Sequence, residues 1–139
     1  MSGGNGTGEG NRQVGQSVFG EVIATYSRQQ AIADGTLIDV TSMAREAGIR
    51  YPTALTSAVW DRYVEVPDGV LGQDKDGRCW DILWMLRYGI AKSSCGQQLQ
   101  FKLYVANEPG HSELITLKAV CGPGDRGEPV ITVMLPEED

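Results

Sequence analysis

The nucleophiles and bases of this sequence are few, and their spacing matches no known catalytic arrangement. A serine or cysteine nucleophile needs a base within hydrogen-bonding reach, and the only histidine is His111. His111 follows the turn residues Pro109 and Gly110, which predict a hairpin tip exposed to solvent. A catalytic pair of acids that the fold brings together remains an alternative, because such a pair needs no particular spacing in the sequence. The sequence therefore favours a non-enzymatic protein.

Cysteine usage gives no sign of a disulfide framework or a metal site. The three cysteines are Cys79, Cys95 and Cys121, and no two of them have CxxC spacing. Such a pattern argues against disulfide bonds and against a zinc site. Cys79 and Cys121 are expected to be small buried residues, and Cys95 to be the exposed thiol. We predict no metal and no cofactor.

Arg87 is the charged residue that most needs an explanation, because it lies inside a long apolar stretch on the face of two tryptophans. In one interpretation its stem packs on a tryptophan while the guanidinium pairs with Asp61 or Asp81. In the other it binds an anion in a pocket between two tryptophan-bearing helices and a sheet. The second interpretation predicts a ligand site formed by Trp60, Trp84 and Arg87.

Charged residues also gather in a glycine-rich loop, Gly122–Pro129, and at the last three positions. Such groups, held on a rigid sheet, could bind a basic partner. The plainer alternatives are a loop closed by its own side-chain to backbone bonds and a solvated acidic end. The partner-binding interpretation predicts contacts from Asp125, Arg126, Glu128, Glu137, Glu138 and Asp139.

Composition and charge limit the possible classes of protein. With 139 residues, 41% hydrophobic and 22% charged, the chain suits one globular domain. The formal charge of −6 disfavours direct binding to nucleic acid. No apolar run approaches the roughly 20 residues of a membrane span, and no secretory signal is visible, so we expect a cytoplasmic protein. Residues 1–17 predict a disordered glycine-rich tail, and residues 18–139 one domain.

The central predicted element is a helix over Arg78–Ile90. Because this helix is apolar almost all the way round, we expect it to be buried. A capping box at Ser27 and Gln30 starts a short helix that ends at Gly35. Other segments predict a strand over Val18–Tyr26, a strand over Thr36–Val40, a helix over Met43–Ala47 that stops at Gly48, and a helix that begins at Pro52 and contains Trp60.

Apolar alternation changes the character of the chain after residue 96. Three segments predict strands, at Leu99–Val105, Leu114–Val120 and Val130–Leu135. Turn residues link them in order, which predicts an antiparallel meander. The predicted fold is α+β, with N-terminal helices, including a buried Trp-rich helix, packed on a C-terminal three-stranded antiparallel meander.

Four segments give the sequence a resemblance to a known family. They are Asp34–Asp39, Pro52–Trp60, Gly77–Met85 and Gly122–Asp139. The chain resembles, over residues 22 to 139, a family of small bacterial, plasmid and phage proteins of unknown function. The resemblance implies no activity and no catalytic residues. Its mobile-element setting implies a role against host defences or in replication control.

Three functional hypotheses follow. The first is a non-enzymatic protein-binding domain, with the specific form of an inhibitor from a mobile element that presents acidic surface to a host nucleic-acid-handling or defence enzyme. The second is a regulatory module that binds a small ligand between the tryptophan helices and the sheet. The third is an enzyme that uses acids and an arginine, which the absence of recognised spacing disfavours. The sequence does not choose an oligomeric state; an exposed edge strand could pair two chains.

Overall fold

The computed structural model describes residues 26–92 and 97–138. The predicted tail over residues 1–17, most of the predicted first strand, Cys95 and Asp139 lie outside these residues. Their predicted roles stay predictions.

Within the described residues, five short or medium helical segments and five strands make an α+β fold. The helical segments are α1 (Arg28–Asp34), α2 (Thr41–Glu46), α3 (Ser57–Val59), a π-helix (Trp60–Val64) and α4 (Lys75–Lys92). The strands are β1 (Leu37–Asp39), β2 (Thr53–Thr56), β3 (Gln98–Glu108), β4 (His111–Pro123) and β5 (Pro129–Met134). None of the helices that the structure describes is both long and apolar enough to cross a membrane.

All five strands form one mixed sheet in the order β1-β2-β5-β4-β3. The predicted meander of β3, β4 and β5 is present and antiparallel, but the sheet does not stop there. β5 also pairs with β2 in parallel, with Thr53 opposite Ile131, and β2 pairs with β1 antiparallel. The predicted three-stranded sheet therefore lacked two strands, β1 and β2.

The helix predicted to begin at Pro52 was wrong in its first turn. Residues 53–56 form β2, and the helical turns begin only at Ser57. Thr53, Ala54 and Leu55 are completely buried, because β2 lies inside the sheet with a strand on each side. A short strand buried on both faces has no alternation to distinguish it from a helix.

The core lies between α4 and the inner face of the sheet. Ile82, Leu83 and Leu86 of α4 are completely buried and belong to the same apolar cluster as Phe101, Leu103, Leu117 and Val133 of the strands. The prediction that both tryptophans of this helix are buried was wrong: Trp84 is 49% exposed, and Trp80 is only partly buried. One face of α4 covers the sheet, Trp84 lies on the opposite face, and Trp80 lies at the margin, where it packs partly against the core.

One buried charge joins α4 to its neighbours. Arg78 is buried, with 5% of its surface exposed. Its guanidinium donates hydrogen bonds to the carbonyl oxygens of Tyr63, at 2.9 Å, and Ala106, at 2.9 Å, and to the side chains of Gln73 and Asn107. The carbonyls at the end of a helix have no partner within it. Arg78 supplies one for the π-helix and also satisfies an irregular part of β3.

Candidate ligand-binding cleft

An open cleft of about 540 Å³ lies where the C-terminal part of α4 leaves the inner face of the sheet. Its floor is apolar and comes from three strands and α4. The floor residues are Leu86, Leu99, Ala119, Cys121 and Ile131. The connection between α2 and β2, residues 48–51, forms the opposite wall. A cleft of this size accommodates a small organic molecule.

Polar groups are concentrated on the walls and rim of the cleft. Arg50, Tyr51, Arg87, Gln97 and Gln98 line it together with the apolar floor. Among residues 26–92 and 97–138, no carboxylate lies within 4.0 Å of the cationic nitrogens of Arg50 or Arg87, and none of the lining residues is acidic. The rim is therefore cationic on a chain whose formal charge is −6.

Arg87 is held between an aromatic ring and a glycine. Its guanidinium carbon lies 5.8 Å from the centroid of the Trp84 ring, within the range of a cation–π interaction. On its other side, a Cβ atom built at Gly48 would overlap with Nε of Arg87. Gly48 also has a φ of 98°, a conformation that glycine adopts without strain. The turn after α2 therefore brings bare backbone against the arginine stem.

The structure separates the three residues of the predicted ligand site. Arg87 lines the cleft, whereas Trp84 lies beside it on the outward face of α4 and only contacts Arg87. Trp60 begins the π-helix, where its indole N–H donates to Glu65 at 2.8 Å. Neither tryptophan lines the cleft. Sequence reasoning missed Arg50 and Gly48, which reach the cleft only through the packing of α2 and β2 beside α4.

Asp125 is occupied by an internal contact. Its two carboxylate oxygens accept hydrogen bonds from the backbone N–H groups of Arg28, at 2.8 Å, and Gln29, at 3.0 Å. These groups belong to the first turn of α1, which has free donors. The two hydrogen bonds lower the pKa of Asp125. The carboxylate therefore attaches the β4–β5 loop to α1.

The other acidic side chains of the β4–β5 loop and of residues 137–138 differ in how many internal hydrogen bonds they accept. Glu128 accepts a hydrogen bond from the backbone N–H of Arg126 at 2.9 Å, which closes the loop. Glu137 forms an exposed ion pair with Arg62 at 3.6 Å. The carboxylate of Glu138 accepts from the Thr56 hydroxyl and from the Leu135 N–H. Of the described acids at these two places, Asp125 and Glu138 thus have two internal donors each.

The remaining candidate groups are placed apart from one another. His111 is exposed at the start of β4, directly after the turn at residues 109–110, as the hairpin prediction required. Burial raises the pKa of the Cys79 thiol to about 11, so Cys79 is protonated near neutral pH. Within the residues that the structure describes, no three side chains of the metal-binding types come together as ligands.

Comparison with protein families identifies a match. A model of the family of unknown function DUF6573 matches residues 17–139. No curated protein and no solved structure matches the chain. Since the family model covers most of the sequence, the chain belongs to the family of unknown function DUF6573.

Proposed function

We propose that this chain is a small-ligand-binding protein whose cleft takes an organic anion with an apolar body. The observation that carries the proposal is the pair Arg50 and Arg87 on the wall of an apolar cleft, with no carboxylate partner for either among the described residues. Arginine binds carboxylate and phosphate groups through parallel hydrogen bonds. The anionic group would meet these guanidinium groups.

The apolar floor gives the second part of the ligand. Leu86, Ala119 and Ile131 are almost completely buried beneath the opening, so a short alkyl or aryl group placed on them loses contact with water. Burial of apolar area contributes about 25 cal/mol per Å². Gln97, Gln98 and the Tyr51 hydroxyl are polar neighbours that can orient the ligand.

The experiment compares anions with neutral molecules that have a similar apolar body. Octanoate and phenyl phosphate are titrated by calorimetry against octanamide and benzyl alcohol. We expect binding of the anions, and binding about 10- to 100-fold weaker for the neutral molecules, because a hydrogen bond to a charged group contributes about 1.5–3 kcal/mol. Equal binding of octanoate and octanamide would contradict the proposal.

Matched variants locate the site. Arg87→Met and Arg50→Met keep much of the apolar stem and remove the charge, and each should weaken octanoate binding by about tenfold or more. Arg62→Met is the control, since Arg62 lies in the π-helix and pairs with Glu137. A loss of affinity in Arg62→Met as large as in Arg87→Met would place binding elsewhere.

The acidic-inhibitor hypothesis stays a prediction, together with the bacterial, plasmid and phage setting that the resemblance implies. It needs acids that are free to meet a basic partner. The internal hydrogen bonds of Asp125 and Glu138 favour the cleft as the first site to test. Glu137 is the most exposed of the described acids with an ion pair and would be the residue to neutralise in a capture experiment.

A further inference from the structure

The outward face of α4 is aromatic, and among the residues that the structure describes Trp84 and Tyr88 are exposed on it, while Trp80 is partly buried. Trp80, Trp84 and Tyr88 are spaced four residues apart and form one stripe along the helix. The rings of Trp80 and Trp84 stack, with centroids 6.1 Å apart and planes inclined by 19°. Trp84 is 49% and Tyr88 52% exposed. Contiguous aromatic surface of this kind is typical of a protein interface.

Charges flank this stripe in an ordered way. Asp76 and Asp81 are exposed in the N-terminal half of α4, and Arg87 and Lys92 are exposed in its C-terminal half. Trp84 is the midpoint of these four charged residues along the helix. Asp81 and Arg87 lie three residues to either side of it, and Asp76 and Lys92 lie eight residues to either side. The face is therefore acidic at one end and basic at the other.

We propose that this face binds the same face of a second copy of the chain, with the two α4 helices antiparallel and Trp84 at the twofold axis. In such a pair, residues equally far from Trp84 on opposite sides come level with each other. Trp80 is then level with Tyr88 of the second copy, and the acidic half of each helix faces the basic half of the other. A twofold interface must be self-complementary in this sense.

Two further properties of α4 suit this arrangement. Gly77 and Ala91 lie seven residues before and after Trp84 on the same face, so only small side chains meet near the ends of the contact and the helices can approach closely. Antiparallel helices also place the positive end of each helix dipole beside the negative end of the other. Reversing one helix would bring like charges together and align the two helix dipoles in the same direction.

The size of the contact sets the expected strength. A helix of 18 residues is about 27 Å long, and one helix from each copy forms an interface at the small end of the specific range, below about 1,200 Å² in total. We therefore expect a dimer that dissociates in the micromolar range. The occupied surface lies apart from the floor of the cleft but shares Arg87 with its wall, so the variants that test the dimer leave Arg87 unchanged.

Sedimentation equilibrium of the full chain over micromolar to millimolar concentration tests the proposal. The wild type should change from monomer to dimer. Trp84→Glu, which brings two negative charges together at the axis, should weaken association by about 100-fold or more, as central tryptophans dominate interface energies. Tyr104→Glu is the control, because Tyr104 is 69% exposed on β3, away from α4. Circular dichroism and a melting curve establish that each variant is folded.

A charge exchange keeps the test decisive even if Trp84→Glu fails to fold. Asp81 and Lys92 lie about 60° and 80° to the same side of Trp84 around the helix, so in the homodimer Asp81 of one copy and Lys92 of the other lie along the same edge of the contact. Asp81→Lys and Lys92→Glu each place like charges along that edge, and each should weaken the dimer by about tenfold. Mixing the two single variants, or combining both changes in one chain, restores opposite charges and should restore the dimer. A wild type that stays monomeric at millimolar concentration, or a dimer that none of these changes affects, would overturn the proposal.

Discussion

Replacing Arg78 tests whether a single buried cation joins α4 to the π-helix and to β3. The four hydrogen bonds of its guanidinium end on Tyr63, Ala106, Gln73 and Asn107. Among the described residues Arg78 has no acidic partner. The carbonyl oxygens of Tyr63 and Ala106 depend on this side chain, because both lie in a part-buried region.

The expected loss in the free energy of unfolding depends on how many hydrogen-bond acceptors each replacement leaves without a donor. Arg78→Ala leaves two backbone carbonyls without their donor, at about 1–3 kcal/mol each, and removes a buried stem. We expect a loss of about 3–5 kcal/mol in the free energy of unfolding. Arg78→Lys keeps the charge but has no planar fork, so it reaches fewer acceptors. Its expected loss is about 2 kcal/mol.

Urea unfolding followed by circular dichroism measures both losses. Arg62→Ala is the matched control: its side chain is 54% exposed and makes a surface ion pair, so its removal should change the free energy of unfolding by less than about 1 kcal/mol. If Arg78→Ala cost no more than Arg62→Ala, the reasoning that Arg78 connects these elements would be refuted.

The cap of α1, the glycine beside Arg87 and the buried thiol each give a further measurable expectation. The pKa of Asp125 is lowered in the folded chain by hydrogen bonds to α1, so its stabilising effect is present above the ordinary pKa of about 3.9 and is lost as the pH falls through the folded value. Asp125→Asn should therefore show a smaller fall in stability between about pH 5 and 2 in acid titrations; an unchanged slope would contradict this. Gly48→Ala introduces a Cβ at a φ of 98° that overlaps with the Arg87 stem, and should lower stability by about 1–2 kcal/mol and weaken octanoate binding; a stable variant with unchanged affinity would mean that Gly48 does not position Arg87. Cys79, with a pKa of about 11 and 2% exposure, should resist alkylation at pH 8 until the chain is unfolded in urea, as read by mass spectrometry of its peptide; rapid labelling of the folded chain would contradict its burial.

Much of the local structure could be predicted from the sequence because local chemistry determines it. The capping box of Ser27 and Gln30 is present with both of its hydrogen bonds, and Gly35 ends α1 in the left-handed conformation. Alternation and turn residues correctly placed β3, β4 and β5. These signals need only a few neighbouring residues, which is why they succeed.

The incorrect predictions concern features that depend on contacts between residues far apart in the sequence. Nothing near Leu55 indicates a strand, because its partner in the parallel pair is Val133. The exposure of Trp84 likewise depends on which side of α4 meets the sheet, and an apolar helix gives no clear answer when both sides are aromatic or aliphatic. The cleft was half predictable: the charge of Arg87 in an apolar stretch was visible in the sequence, but Arg50 reaches the same cleft only through folding.

The central position of β5 affects how the protein can form during synthesis. β2 is made first, but the strand that covers its second edge begins about 70 residues later in the chain. At a translation rate of about 5–20 residues per second, that interval lasts several seconds. Throughout it the apolar residues of β2 have no parallel partner, and their free edge can pair with another chain. The nascent protein is therefore exposed to aggregation, and to binding by chaperones, until β5 has emerged from the ribosome.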